Sequence, residues 1–417
     1  TISWPVKRND KDGRFYLNGK PYFINGTCEY EHMFGQSHAF GNEQIASRIK
    51  QIKNDGFNAF RDAHQPHNLE YQRLIDESGL LLWTQFSAHI WYDTPEFRNN
   101  FKTLLRQWVK EHRNSPSVII WGLQNESSLP TDFAKECTDI IRDMDPTART
   151  MRVVTTCNGG TGTDWDVVQN WSGTYNTGVL KNYNRELAQK DQLLNGEYGA
   201  WRSLGFHTEP ADFDLNAAWS ENRACQILET KIKLAEANKD SVCGQFQWIY
   251  SSHDNPGRRH PDEAYRMIDK VGPFNYKGLV TPWEEPTDAY YLYQANYVSP
   301  KKAPMVYLVS HTWPNRFTKR IRCTVEAYSN CDSVKLYNDA VDSVFLGKKK
   351  SNGRGSHFMW EHRDVRYNVL RVVGYYGGKA VAEDMIVLNN LEKAPHFEAL
   401  YSSVGAITKG DSNYNYL

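Results

Sequence analysis

The sequence predicts an α/β chain in two parts, a (β/α)8 TIM barrel followed by a small all-β immunoglobulin-like sandwich. Two observations carry this reading. From about residue 20 to 298, short apolar runs alternate with longer amphipathic stretches, eight times over. From about 301 the rhythm changes to short alternating strands broken by Asn, Gly and Asp turns. The divisions expected are an entry segment at 1–20, the barrel at 21–298, the sandwich at 301–395 and a tail at 396–417.

The eight runs are YFING (22–26), FNAFR (57–61), LLLWTQF (80–86), SVIIWGL (117–123), MRVVTT (151–156), DVVQNW (166–171), QLLNGE (192–197) and CGQFQWIY (243–250). Between them lie helical patterns at 42–55, where Ile45, Ile49 and Ile52 recur at three- to four-residue spacing, and at 96–113, 131–144 and 214–238. A doubly wound open sheet would bring a Gly-rich phosphate loop after its first strand, and none is present. The sandwich is expected from APMVYLVSHTW, RIRCTVEAYSN, SVKLYNDA, HFMWEHRD and VLRVVGYYGGKAVAEDMIVLN.

Lys+Arg and Asp+Glu both total 49, so the chain lacks the cationic excess of a nucleic-acid or membrane-surface footprint. Aromatic residues reach 13%, with 13 Trp and 24 Tyr, which suits stacking on sugars, although core filling accounts for most of them. No apolar run approaches the roughly 18 residues of a membrane span. No signal segment opens the chain, and a cleaved leader would leave no trace. Seven cysteines without CxxC spacing read as free, buried thiols. The compartment stays open, with bacterial periplasm or secretion favoured over cytoplasm, and the oligomeric state is not legible.

In a barrel of this kind the C-terminal strand ends form the working rim. Reading them off gives RDAHQPHN (61–68), Asn125 and Glu126, Trp171, Glu197 with Tyr198, and Trp248. Two rim glutamates on non-adjacent strands suit a retaining glycosidase. One gives a proton to the leaving oxygen, the other attacks the anomeric carbon, and the two sit about 5–5.5 Å apart. Mutual repulsion favours a proton on one of them. Each has a plainer reading: Glu126 as a helix cap, Glu197 as a surface partner of Arg202.

SVIIWGLQNES and NGEYGA resemble the acid/base and nucleophile segments of glycoside hydrolase family 2. DGRFYLNGKPYFING (12–26), NAFRDAHQPHN and FQWIY are similar to its barrel entry, second strand and eighth strand. The resemblance covers nearly the whole chain, because AYYLYQANYV and the sandwich look like a module appended to many members. It implies Glu126 as acid/base and Glu197 as nucleophile. Asn125 would bond the sugar 2-hydroxyl, Arg61 would favour the ionised nucleophile, His64 would line the sugar subsite and Trp248 would form its platform. Trp171 stands roughly where a nucleophile-contacting Tyr is often found, with Tyr175 as the other candidate.

The chain also departs from the family pattern. TCEYEHMFG puts Tyr30 and Glu29 where a His and an Arg are usual, and WTQFSAH offers Gln85 and His89 instead of an acidic pair. No magnesium ligand is therefore carried over. His32, His38, His64, His67 and His89 fall near strand ends without metal-ligand spacing, so neither metal nor cofactor is expected.

Asn275 and Lys277 stand in an N-x-K spacing that the family's glucuronidases use to clasp a sugar carboxylate, though related segments occur in galactosidases. Arg258 and Arg259 could meet an acidic glycan or face water. The reading taken from the sequence is an exo-acting β-galactosidase on β-linked oligo- or polysaccharides, working through a covalent glycosyl-enzyme, with β-glucuronidase as the alternative. From another class stands a non-catalytic carbohydrate-binding protein on a barrel scaffold. Family members normally carry β-domains before the barrel, so a fragment or a short relative is expected. The partner expected in every case is a carbohydrate, not a nucleic acid.

Overall fold

The protein is described from a computed structural model, covering residues 1–5, 12–32, 39–88, 92–127, 129–171, 194–199, 221–254, 274–312 and 321–400. These residues divide into two compact units, one within 1–290 and the other within 291–400.

Eight parallel strands close into a barrel in the first unit. They are β1 (Ile24–Glu29), β2 (Ala59–Asp62), β3 (Leu81–Gln85), β4 (Val118–Asn125), β5 (Val153–Cys157), β6 (Trp165–Asn170), β7 (Leu194–Gly199) and β8 (Gly244–Trp248). Gly244 pairs with Ile24, so β8 returns to β1 and leaves no edge. Each strand lies within three residues of the apolar run that predicts it. β2, β3, β4, β7 and β8 are buried at every position. One face fills the barrel and the other is covered by helices, which is why these runs show no alternation.

The helices follow from caps and apolar spacing. α1 (Asn42–Asn54) buries Ile45, Ile49 and Ile52 as expected. α2 (Leu69–Ser78) is not anticipated by the sequence reading, because its apolar stripe is only Tyr71 and Ile75. Its signals are the caps: Asn68 accepts from the Glu70 amide at 2.9 Å, and Gly79 closes the helix in the left-handed region at φ 73°. α3 (Pro95–His112) begins with Thr94 accepting from the Phe97 amide, then buries Phe101, Leu105, Trp108 and Val109. α4 (Thr131–Met144) and α5 (Glu221–Asn238) add two more helices to the shell. β5 and β6 are joined by the irregular segment 158–164, with no helix between them.

The N-terminal end of the barrel is closed by the entry segment. Trp4 packs on Phe15 with ring centroids 4.4 Å apart and meets Trp165 edge-on at 5.4 Å. Both join one buried cluster with Ile24, Leu81, Leu194 and Cys243 from the strand beginnings. A closed floor leaves the opposite rim as the accessible end.

The second unit is a sandwich of two antiparallel sheets. Its strands are β9 (Val306–Val309), β10 (Ile321–Ser329), β11 (Ser333–Tyr337), β12 (Phe345–Lys350), β13 (Phe358–Val365), β14 (Val369–Tyr376) and β15 (Lys379–Val387). The sheets run β9-β10-β13 and β12-β11-β14-β15. Their inner faces share one core, with fully buried Trp360 among Leu308, Val325, Leu336 and Val372. The last predicted run folds back on itself at Gly377 and Gly378, whose φ values of 57° and 81° suit a tight hairpin. β12 is absent from the sequence reading because FLGKKK is a largely exposed edge strand, rich in lysine as edges tend to be.

All seven cysteines are free thiols, and every one except Cys323 is buried. No helix among the described residues is long and apolar enough to cross a membrane.

Candidate active site

The barrel interior is filled by Trp83 of β3 against Phe246 of β8, with ring centroids 5.3 Å apart. Space for that indole exists because β4 and β7 offer glycine. A Cβ at Gly122 would stand 2.5 Å from Trp83 Nε1, and one at Gly196 would stand 2.8 Å from Cys157 Sγ. On top of the indole lies the Arg61 guanidinium, 4.3 Å from the ring centre. Trp83 is therefore both the core of the barrel and the support of the site above it.

Arg61, at 0% exposure, directs its donors to four acceptors. Nε reaches Gln85 Oε1 at 3.0 Å, and Nη2 reaches Asn125 Oδ1 at 2.7 Å. Nη1 reaches the Gly196 carbonyl at 3.0 Å and Glu197 Oε1 at 2.6 Å. A buried cation needs such saturation, since each unmet donor would add to its desolvation cost. Glu197 is 2% exposed, and burial pushes its carboxyl up to about 7. Arg61 pulls it down, the charge of Glu126 pushes it up, and Lys277 pulls it down.

Asn125 ends β4 with its side chain oriented by its neighbours. Oδ1 accepts from Arg61 Nη2 and from Gln169 Nε2, the latter at 3.3 Å, so Nδ2 is the end that donates. His64 Nε2 lies 3.4 Å from that Nδ2, and His64 Nδ1 lies 3.1 Å from Gln85 Oε1. Gln85 is itself fixed, donating from Nε2 to the Ser87 carbonyl at 3.2 Å. Arg61 Nη2 also lies 3.5 Å from His64 Nδ1, so the ring is held among Gln85, Asn125 and Arg61. His64 Nε2 also lies 3.6 Å from Glu197 Oε1.

Glu126 follows in the left-handed region at φ 45°, a conformation that costs a non-glycine residue about 1–3 kcal/mol and collects at functional sites. Its amide donates to the Cys157 carbonyl at 2.9 Å, which ties the end of β4 to the end of β5. Trp171 joins the same network through its Nε1, which donates to Gln169 Oε1 at 2.9 Å.

The opposite wall is aromatic. Trp248 stacks on His64, with centroids 4.7 Å apart and planes 11° apart. Tyr30 meets Trp248 edge-on at 5.2 Å and His253 at 4.7 Å. Lys277 Nζ stands 5.4 Å from the centre of the Trp248 ring.

Arg61, His64, Asn125, Glu126, Trp171, Glu197, Trp248 and Lys277 are thus gathered at one end of the barrel. Tyr175 lies outside the described residues, as do His38, His89, Arg202, Arg258 and Arg259 and the side chain of Asn275. His67 is turned away from the site and packs against Tyr71 and Phe60. Glu29 also faces away: it is fully buried with Arg48 of α1, Nε to Oε1 at 3.1 Å. Among the described residues, no three His, Cys, Asp or Glu side chains gather as a metal ion would need. The sequence reading misses Gln169 and Trp83 as site residues, since neither has a signal apart from its place beside a strand end or within an apolar run.

Residues 9–254 match the family model described as glycosyl hydrolases family 2, TIM barrel domain. Residues 322–382 match a domain of unknown function, DUF4982. A β-glucuronidase of Bacteroides fragilis is 26% identical over 413 residues, covering 93% of this chain and 56% of the relative. A β-galactosidase of Photobacterium profundum is 32% identical over 125 residues, which is 28% of this chain and 12% of that one. Among solved structures, the β-glucuronidase of Parabacteroides merdae gives a TM-score of 0.78 at 25% identity, covering 94% of this chain and 51% of its own. β-Glucuronidase 3 of Bacteroides uniformis gives 0.77 at 25% identity, with 93% and 51% covered. The chain spans about half the length of the curated relatives it matches.

Proposed function

This chain belongs to glycosyl hydrolase family 2, and from that premise we propose that it is an exo-acting, retaining β-glycosidase whose substrate is a β-glucuronide. Glu197 attacks the anomeric carbon while Glu126 gives its proton to the departing glycosidic oxygen. The covalent glycosyl-enzyme is then hydrolysed by a water that passes one proton back to Glu126. Arg61 holds Glu197 at 2.6 Å and favours its ionised form. Asn125 has its oxygen occupied by Arg61 and Gln169, so its Nδ2 is the donor suited to the sugar 2-hydroxyl, a contact that strengthens as positive charge develops on the ring. The stacked Trp248–His64 pair offers an apolar face to the sugar's C–H surface.

The observation that carries the choice of sugar is Lys277, a cation 5.4 Å from the Trp248 ring and close enough to Glu197 to lower its pKa. A hexuronate carboxylate beside that platform has an ammonium to meet. The relatives and structures named as β-glucuronidases match over nearly the whole chain, whereas the galactosidase likeness spans 28% of it. The glucuronide is therefore put ahead of the galactoside expected from sequence. The binding-only reading is placed behind it, because both rim glutamates that turnover needs are present, with Arg61 beside the nucleophile candidate Glu197.

The test is hydrolysis of nitrophenyl β-glucuronide against nitrophenyl β-galactoside by wild type and Lys277→Ala. Turnover of the glucuronide, lost selectively in the variant, supports this reading. Turnover of the galactoside alone returns the assignment to the second reading.

A further inference from the structure

Lys277 stands at the foot of a short hairpin that spans 278–287. Val280 bridges to Pro286 across it, and the Thr287 amide donates to the Leu279 carbonyl at 3.0 Å. At the tip the Thr281 amide donates to the Glu285 carbonyl at 2.9 Å, and the Glu284 amide to the Thr281 carbonyl at 3.0 Å. The foot is pinned beside Lys277. The Leu279 and Val280 amides both donate to the Tyr250 carbonyl, at 2.7 and 3.1 Å, and the Gly278 amide donates to Ser252 Oγ at 3.0 Å. A Cβ at Gly278 would stand 2.1 Å from the Ser252 nitrogen, so the two backbones are in direct contact there.

The tip is fastened separately. Glu284 stands at φ 72°, in the left-handed region that glycine alone takes without strain. Its carboxylate is paired with Arg48 Nη2 of α1, the arginine side chain at 0% exposure and the glutamate at 11%. The same guanidinium lies 5.2 Å from the centre of the Tyr250 ring, and Tyr250 supplies the carbonyl that takes the two amides at the foot. Arg48 therefore holds the tip directly and the foot through Tyr250. Its other carboxyl neighbour, Glu29, is pushed up to about 8 by burial, so near neutral pH the Arg48 charge is matched through Glu284.

Resting on the reading of Lys277 as the partner of a sugar carboxylate, we propose that the Arg48–Glu284 pair is a clip that holds this hairpin, and with it the Lys277 ammonium, in place beside the Trp248 platform. Both are positioning residues for uronate recognition. Arg48 is fully buried and acts through the hairpin. A buried ion pair adds little net stability over apolar packing, and what this one supplies is a fixed geometry for a strained tip.

The experiment measures kcat/KM for dinitrophenyl β-glucuronide in wild type, Glu284→Gly, Lys277→Gln and the double variant. Glycine accepts a φ of 72°, and the activated leaving group keeps slow turnover measurable, with melting temperatures as the folding control. Glu284→Gly is expected to lower kcat/KM about tenfold, mainly through KM, the value of one misaligned charge-assisted hydrogen bond. In the Lys277→Gln background the same change is expected to cost about twofold or less, because the group it positions is already lost. Glu284→Gln, which keeps the side-chain length and an acceptor oxygen, is expected to lose less than Glu284→Gly, and it carries the test if the glycine variant does not fold. No loss in either Glu284 variant, or the same loss with and without Lys277, overturns the clip. Unchanged glucuronide turnover in Lys277→Gln alone overturns the reading of Lys277 beneath it.

Discussion

Arg61 Nη1 donates to Glu197 Oε1 across 2.6 Å, with the arginine side chain fully buried and the glutamate nearly so. The pair sits where two opposing effects meet. Burial favours the neutral carboxyl, the guanidinium favours the carboxylate, and the balance leaves Glu197 at about 7.

The acid limb of the pH profile follows from that balance. As the proposed nucleophile Glu197 must be ionised, so kcat/KM is expected to rise with pH through a midpoint near 7 and to fall below it. Lys277 lowers that midpoint, so Lys277→Ala is expected to move it upward. Glu126 raises it, so Glu126→Gln moves it downward when an activated leaving group keeps turnover measurable. Movement of either variant in the opposite direction contradicts this account of the site.

Glu126 is assigned to proton transfer, so its loss must depend on the leaving group. With a poor leaving group such as methanol, Glu126→Ala is expected to lower the glycosylation rate about 10²–10⁴-fold. With dinitrophenolate, which departs without protonation, that step should change little. Equal losses on both substrates would remove Glu126 from the acid role.

Gly122 tests the support beneath the site. An alanine methyl there would meet Trp83 Nε1 at 2.5 Å and the Thr84 carbonyl at 3.1 Å, and the backbone atom cannot swing aside. Gly122→Ala is expected to destabilise the fold by about 1–3 kcal/mol in urea unfolding. It should also lower turnover, because Arg61 rests on the displaced indole. Gly41→Ala, with nothing within 4 Å of its new methyl, is the steric reference, and its cost is that of an N-cap alone.

A second buried cluster sets a pH dependence of stability. Arg48 faces two carboxylates, Glu29 and Glu284, and burial pushes Glu29 up to about 8 from its ordinary 4.5. The folded state therefore holds a proton that the unfolded chain releases between those values. Stability is fully present below about pH 4.5 and declines as pH rises toward 8. Melting curves between about pH 5 and 9 should show this slope, and Glu29→Gln should flatten it. The part that remains belongs to Glu197, which acts in the same direction up to about 7, and to Asp55 and Asp62, whose carboxyls burial also raises. A slope unchanged in Glu29→Gln would place the titrating group elsewhere.

The barrel was legible because its strands are buried on both faces, so runs such as SVIIWGL stand out from amphipathic neighbours. What escaped had a different signal. α2 depends on Asn68 and Gly79 more than on an apolar stripe, and β12 is an exposed lysine-rich edge. At the site, Glu126, Glu197, Asn125 and Arg61 could be named from their places at strand ends. The roles of Gln85 and Gln169 could not, because each acts by orienting another side chain, His64 and Asn125 respectively. Such roles are set by three-dimensional neighbours that no spacing along the chain encodes. The small residues Gly122 and Gly196, which make room for Trp83 and so for Arg61 above it, belong to the same class.

The most direct test of the central claim is to trap the glycosyl-enzyme. Wild-type protein is incubated with 2-deoxy-2-fluoro-β-glucuronyl fluoride, whose fluorine slows the second step more than the first, and peptides are mapped by mass. The account predicts one fluoroglucuronyl adduct per chain, on the carboxylate of Glu197 and absent in Glu197→Gln. An unmodified Glu197, with catalysis intact and the first-formed product inverted at C1, would contradict it.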